Sequence, residues 1–135
     1  APDYIARRGM PATGDDLVEK GHECLSLRFP GATEFQWRLS TPEGPRRFRV
    51  SGRYECDDGD VLTDWALAGQ GVAMKPVFEI AEHLKAGRLV PVAEQTPPEP
   101  IQMACLFTHR RRQDPKTRLF MEFMIERIGK AVTGG

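Results

Sequence analysis

Between Asp57 and Val92 the hydrophobic pattern keeps changing period, and this alternation restricts the fold more than any other feature of the chain. Asp57-Asp58-Gly59-Asp60 leads into Val61, Leu62, Trp65 and Ala66 at helical spacing, and Gly69-Gln70-Gly71 closes the run. Gly71 to Met74 is too short for anything but a buried strand. Val77, Ile80, Ala81 and Leu84 then form a second helical stripe ending at Gly87, and Leu89-Val90-Pro91-Val92 reads as a further short strand. The order helix, strand, helix, strand implies an α/β layer architecture, because a helical crossover is what joins parallel strands.

The preceding half supplies the rest of such a layer. Pro2 suits a first helical turn and Gly9 can close it, so Asp3 to Arg8 reads as a short helix. Thr13 or Asp15 can cap a second one, with Leu17 and Val18 on its buried face and Gly21 at its end. Leu25, Leu27 and Phe29 alternate with Cys24, Ser26 and Arg28 at the two-residue period of a strand. The same period runs through Phe35, Trp37 and Leu39, and through Phe48, Val50, Gly52, Tyr54 and Cys56. Thr41-Pro42-Glu43-Gly44-Pro45 is rich in turn formers, so these last two strands should make an antiparallel hairpin with one arginine-bearing face. That face could contact nucleic acid, but a solvated edge protected by charge accounts for it as well.

Gln95-Thr96-Pro97-Pro98-Glu99-Pro100 has three prolines in six residues and is the best candidate boundary. Beyond it Ile101 to Thr108 reads as an apolar strand and Pro115 to Val132 as a helix. On this helix Arg118, Glu122, Glu126 and Lys130 make one polar line, whereas Leu119, Phe120, Met121, Phe123, Met124, Ile125 and Ile128 fill most of the circumference. That apolar arc exceeds the roughly 100° stripe a surface helix buries. Cover is expected from a missing lobe or another subunit, the alternative being a single monomeric core with residues 1–100.

Lys plus Arg and Asp plus Glu number 19 each, so net charge gives no general attraction to nucleic acid or to an anionic membrane. Cys24, Cys56 and Cys105 lie 32 and 49 residues apart, without the close pair that a metal site or redox motif needs; they read as reduced, cytosolic thiols. No apolar run approaches the roughly 20 residues of a membrane span. The first residues form neither a signal peptide nor a start at Met, which reads as a cut or processed end.

Asp57-Asp58-Gly59-Asp60 resembles part of a calcium loop but lacks the closing Glu, so helix capping is the better reading and no metal is expected. His22, His83 and His109 are scattered, and neither an HExxH nor a GxSxG motif occurs. No catalytic residue and no cofactor are expected. Gly69-Gln70-Gly71 ends a helix and enters a strand, the reverse of a phosphate-cradling loop. Ligands of open α/β sheets sit at strand ends, which singles out Lys75, Pro76 and Phe78 and the helix start near Asp58 and Gly59, whose N–H groups could receive an anion. His109-Arg110-Arg111-Arg112 reads as a solvated basic loop.

The order of these pieces resembles the effector-binding domain of LysR-type transcription regulators. Ala1-Pro2-Asp3-Tyr4-Ile5-Ala6-Arg7-Arg8-Gly9 is similar to the family's "SPxYLxxxG" opening of its second lobe, and Pro11 to Leu17 to the "P-x-x-x-x-D-L" that follows. Most specific is Asp57 to Leu62 together with Ala66 to Pro76, which looks like the family's "a-x-x-G-x-G-I-x-x-x-P" core, continued by Leu84-Lys85-Ala86-Gly87-Arg88-Leu89-Val90. The resemblance implies a type II periplasmic-binding-protein-like α/β fold with a mixed sheet, in which residues 1–98 form the second lobe. Residues 99–135 would be the strand and helix returning to a first lobe that is otherwise absent. It also implies a sensor, not an enzyme. A small-molecule effector would meet Arg28, Asp58, Gly59, Lys75, Pro76 and Phe78, and DNA would be reached only through a domain absent from this chain. Self-association through Ile101 to Thr108 and the last helix is expected, with a cytoplasmic location. The other readings are a periplasmic solute-binding fragment and a hydrolase or transferase fragment using Ser26 or Cys56.

Overall fold

The computed structural model describes residues 1–28, 36–102, 104, 106 and 114–133. Two short helices open it, α1 (Pro2–Arg8) and α2 (Gly14–Glu19). Thr13 caps α2 in a reciprocal box: its hydroxyl accepts the Asp16 N–H while the Asp16 carboxylate accepts the Thr13 N–H. β1 (Cys24–Leu27) is the central strand of a three-stranded parallel sheet, between β4 (Glu55–Cys56) and β5 (Val72–Ala73). Cys24, Leu25 and Ser26 are all buried, as a strand covered on both faces must be.

The two faces carry different layers. Cys24 joins Tyr4, Leu17 and Val72 with Trp37, Leu39 and Phe48 of the hairpin formed by β2 (Gln36–Thr41) and β3 (Gly44–Arg49). Leu25 points the other way, to Leu62 and Ala66 of α3 (Gly59–Leu67) and to Leu89, with Ile80 and Leu84 of α4 (Val77–Lys85) packed behind. Period-two alternation along one buried strand thus divides the core into two halves.

The hairpin turns more tightly than the turn-rich stretch suggested: Thr41 pairs with Gly44, leaving Pro42 and Glu43 as the turn, and the Thr41 hydroxyl donates to the Gly44 carbonyl at 2.7 Å. Its arginines are exposed, and Arg38 and Arg46 meet carboxylates of the same chain. Arg38 lies 2.7 Å from Glu99, while Arg46 pairs with Asp15 and stacks 4.2 Å above the Phe48 ring.

Two strand expectations need correction. The stretch read as one strand through Cys56 is divided between two sheets: β3 pairs antiparallel with β2, whereas β4 pairs parallel with β1. Between them the Val50 N–H turns back to the Phe48 carbonyl, the Cys24 N–H donates to Ser51, and Gly52 passes against the β1 backbone. Alternating side chains do not reveal that the backbone has changed partner. Leu89 to Val92 is not a strand either. Leu89 is buried, but Pro91 offers no N–H, and Ala93, at φ 54°, sends its own N–H to Pro11.

The last helix, α5 (Pro115–Thr133), matches its expected span. Leu119, Phe120, Phe123 and Ile125 on it are exposed, while Glu126 and Lys130 pair at 2.6 Å along its polar line. The strand expected over Ile101 to Thr108 lies partly outside the described residues; Ile101, Gln102, Ala104 and Leu106 are described, and they are exposed and carry no strand. His109 to Arg112 lies outside the described residues.

Candidate functional site

All three parallel strands end at one edge of the sheet, where a doubly wound fold leaves backbone and side chains free to meet a ligand. β1 runs out into Arg28, β4 into Asp57 and Asp58, and β5 into Met74, Lys75 and Pro76. Their spacing is set by the ladder itself, since Leu27 is registered on Cys56 and the Arg28 N–H donates to the Cys56 carbonyl at 2.6 Å.

Asp58 is committed to α3. Its carboxylate accepts the Asp60 and Val61 N–H groups at 2.8 and 3.2 Å, and its carbonyl accepts the Cys56 thiol proton at 3.2 Å. Two of the N–H groups that an incoming anion would have used are therefore occupied. The acidic run is a cap, with Asp60 adding negative charge in the first turn, where the helix dipole favours it.

Gly59 is the meeting point. Its carbonyl accepts a proton from Lys75 Nζ at 3.1 Å and another from Thr63 Oγ1 at 3.0 Å. A Cβ at Gly59 would stand 3.1 Å from that same Nζ, so a side chain there would displace the lysine tip by a few tenths of an ångström. The Lys75 side chain is 6% exposed and also pairs with Glu79, one turn along α4. Arg28, by contrast, is largely exposed, with its guanidinium on Glu55 of β4. Pro76 is the residue before α4 and Phe78 lies half-buried in that helix's first turn.

A cavity of about 190 Å³ lies inward of this edge, between α1, α3, α4, β5 and residues 89–92. Lys75 and Thr63 line it; Phe78 and Pro76 do not. Of the six residues expected at the site, Gly59 and Lys75 are bonded directly, Asp58 flanks them, Arg28 stands one strand away, and Pro76 and Phe78 border the edge without reaching the cavity. Thr63 went unnoticed from the sequence. Its only signal is a hydroxyl on the helix face that also carries Leu62 and Ala66.

A second polar group sits beneath α1. Tyr4 Oη is 3.1 Å from His22 Nδ1 and accepts the Glu23 N–H at 2.9 Å, with both rings buried. Burial, followed by the charges of Arg8 and Lys20, pushes the His22 pKa below its ordinary 6.5. Burial also pushes the Cys24 thiol up to about 12, so this cysteine is inert packing and no nucleophile. His83 Nδ1 accepts the Arg88 Nε proton at 3.0 Å, and among the described residues no bond joins it to Ser26.

The family model described as LysR substrate binding domain matches residues 1–129. A curated relative, the transcriptional regulator CrgA of Neisseria meningitidis serogroup C, is 26% identical over 135 residues, covering 99% of this chain and 44% of its own length. The transcriptional activator TtdR of Escherichia coli K12 is 27% identical over 141 residues with the same coverage. Among solved structures, full-length AphB of Vibrio cholerae superposes with a TM-score of 0.76 at 24% identity, over 94% of this chain and 42% of that one. The CrgA structure superposes with a TM-score of 0.61 at 28% identity, over 73% of this chain and 33% of that one. The chain spans less than half the length of the curated relatives it matches.

Proposed function

This chain belongs to the LysR substrate binding domain family, with the α/β fold of its regulatory domains, and on that premise we propose that its strand-end edge holds a small-molecule effector. The observation that carries the proposal is the convergence of Lys75 and Thr63 on the Gly59 carbonyl, a polar pair at the lip of an apolar cavity where parallel strands end. Arg28, Asp58, Pro76 and Phe78 border the same edge and complete the proposed contact set.

In this reading residues 1–98 are the second of two lobes, and 99–135 return to the first. An effector held between the lobes stabilises one arrangement and biases a regulator bound to DNA through a separate domain. The domain senses and does not catalyse, and it works in the cytoplasm. A Cys56 thiol bonded to the Asp58 carbonyl and a Ser26 with no bond to His83 among the described residues support that reading over hydrolase chemistry. Among the described residues no helix is long and apolar enough to cross a membrane. Ile101 to Thr108 and α5 are the proposed self-association surface, supported by the exposure of Leu119, Phe120 and Phe123.

The test uses the intact regulator that contains these residues. Genomic DNA fragments selected by the purified protein should share one sequence, and a reporter driven by that sequence should respond to growth conditions. Lys75→Met should blunt the response while leaving DNA affinity within about two-fold. If no sequence-specific fragment is retained, the regulator reading fails. If Lys75→Met leaves the response intact, the placement of the effector fails.

A further inference from the structure

The proline-rich segment that ends at Pro100 is tied down almost entirely through groups that accept hydrogen bonds. Pro97, Pro98 and Pro100 have no N–H to offer. Leu39 of β2 forms an antiparallel bridge with Pro98, and the Ser40 N–H donates to the Pro97 carbonyl at 2.8 Å. The same register sets Arg38 opposite Glu99, whose carboxylate lies 2.7 Å from Arg38 Nε. Burial follows the two-residue period of a strand: Thr96 is buried and Pro98 half-buried, whereas Pro97 and Glu99 are exposed. Residues 96–99 therefore lie along the edge of β2 that β3 leaves open. A segment so poor in N–H groups ends the sheet there.

A second tie holds the same segment to a different element. Thr96 Oγ1 accepts the Gly14 N–H at 2.7 Å. Gly14 is the first residue of α2, so this N–H is one that a helix start leaves without a partner inside the helix. A Cβ on Gly14 would stand 2.8 Å from Leu39 and from Phe48, so α2 begins hard against the hairpin. Lifting residues 96–99 thus uncovers donors on two elements at once, Ser40 of β2 and Gly14 of α2. Upstream, the Ala93 and Gln95 N–H groups donate to the Pro11 and Ala12 carbonyls at 2.8 and 3.2 Å, which fixes the base of the segment. The Arg38–Glu99 pair is the last of these ties before Pro100, and with its side chains 57% and 35% exposed it is also the weakest.

We propose that residues 96–99 are a releasable strap that ties the hairpin to the segment running between the lobes, with the Arg38–Glu99 pair as its latch. Latched, the segment turns at Pro100, and movement of a first lobe is passed to β2. Unlatched, it turns from Gln95, and the hairpin no longer follows that movement. The inference rests on the two-lobe reading, in which residues 99–135 return to the first lobe, and it adds the element to which their motion is delivered.

Hydrogen exchange read residue by residue in the intact regulator tests the strap. Glu99→Gln removes the latch charge at an exposed site, and the Ser40 and Gly14 amides should then exchange faster by one common factor of about two to five. The Cys24 amide, bonded to Ser51 outside the strap, should keep its rate. Thr96→Val should speed both amides by about ten-fold, and Thr96→Ser, which keeps the acceptor, by much less. The strap is overturned if Ser40 and Gly14 change by different factors or not at all. It is overturned too if Cys24 accelerates with them, since that is a general loss of stability. In the reporter assay Glu99→Gln should lower the response about two-fold or more while DNA affinity stays within about two-fold. An unchanged response beside faster amides overturns the coupling to the lobes. A protein that selects no DNA removes the regulator reading alone, and the two amides still decide the strap.

Discussion

Gly52 marks the point where two backbones cross with no room for a side chain: a Cβ there would stand 1.9 Å from the Cys24 carbonyl oxygen. Gly52→Ala must push β4 away from β1, and a cost of about 2–4 kcal/mol is expected, read as a lower urea midpoint. An unchanged midpoint would mean that the crossing relaxes freely. The His22 and Tyr4 pair makes stability depend on pH. Tyr4 accepts the Glu23 N–H and shares a hydrogen bond with Nδ1, while among the described residues Nε2 has no partner and the ring is 2% exposed. The groups whose charges reach the ring are Arg8 from α1 and Asp16 and Lys20 from and just after α2, and the net effect with burial is a lowered pKa. The unfolded chain therefore binds a proton near pH 6.5 that the folded chain still refuses, and stability falls as pH drops below that value towards the folded pKa. Urea midpoints measured downward from pH 7 should decline for the native chain and decline less for His22→Gln. Parallel declines would place the sensitivity elsewhere.

Elements whose ends are chemically marked were legible in the sequence. Thr13 and Asp58 announce α2 and α3 because capping is a local matter, decided by a side chain and the N–H groups two or three residues on. Asp58→Ala should cost about 1 kcal/mol by chemical denaturation, and Asp58→Asn, which keeps an acceptor, should recover most of it. Equal losses in the two variants would argue that charge, not acceptance of the N–H groups, holds the helix start. Strands were read less well. The stretch up to Cys56 kept its alternation while its partner changed from β2 to β1, and Leu89 to Val92 had the composition of a strand but no ladder to join. Periodicity reports which face is buried; pairing depends on what lies beside the strand.

At the scale of the whole molecule, α5 is the element least accounted for by the rest of the described chain. Leu119 and Phe120 are each 62% exposed, and the Phe123 ring meets the Arg127 guanidinium at 5.2 Å. The self-association proposed for this surface predicts a mass above that of a monomer in light scattering at high concentration. Leu119→Glu with Phe123→Glu should return it to monomer, and a monomeric native chain would defeat the proposal. The sequence by itself determined the α/β class, the capped starts of α2 and α3 and the family likeness, because these follow from hydrophobic period, capping chemistry and residue order. Only the tertiary structure decided the rest. It split one alternating stretch between two sheets at Gly52 and brought Thr63 and Lys75 to one carbonyl on Gly59. Each of these depends on contact between residues distant in the chain or on how a backbone group is satisfied in space. A one-dimensional pattern carries neither.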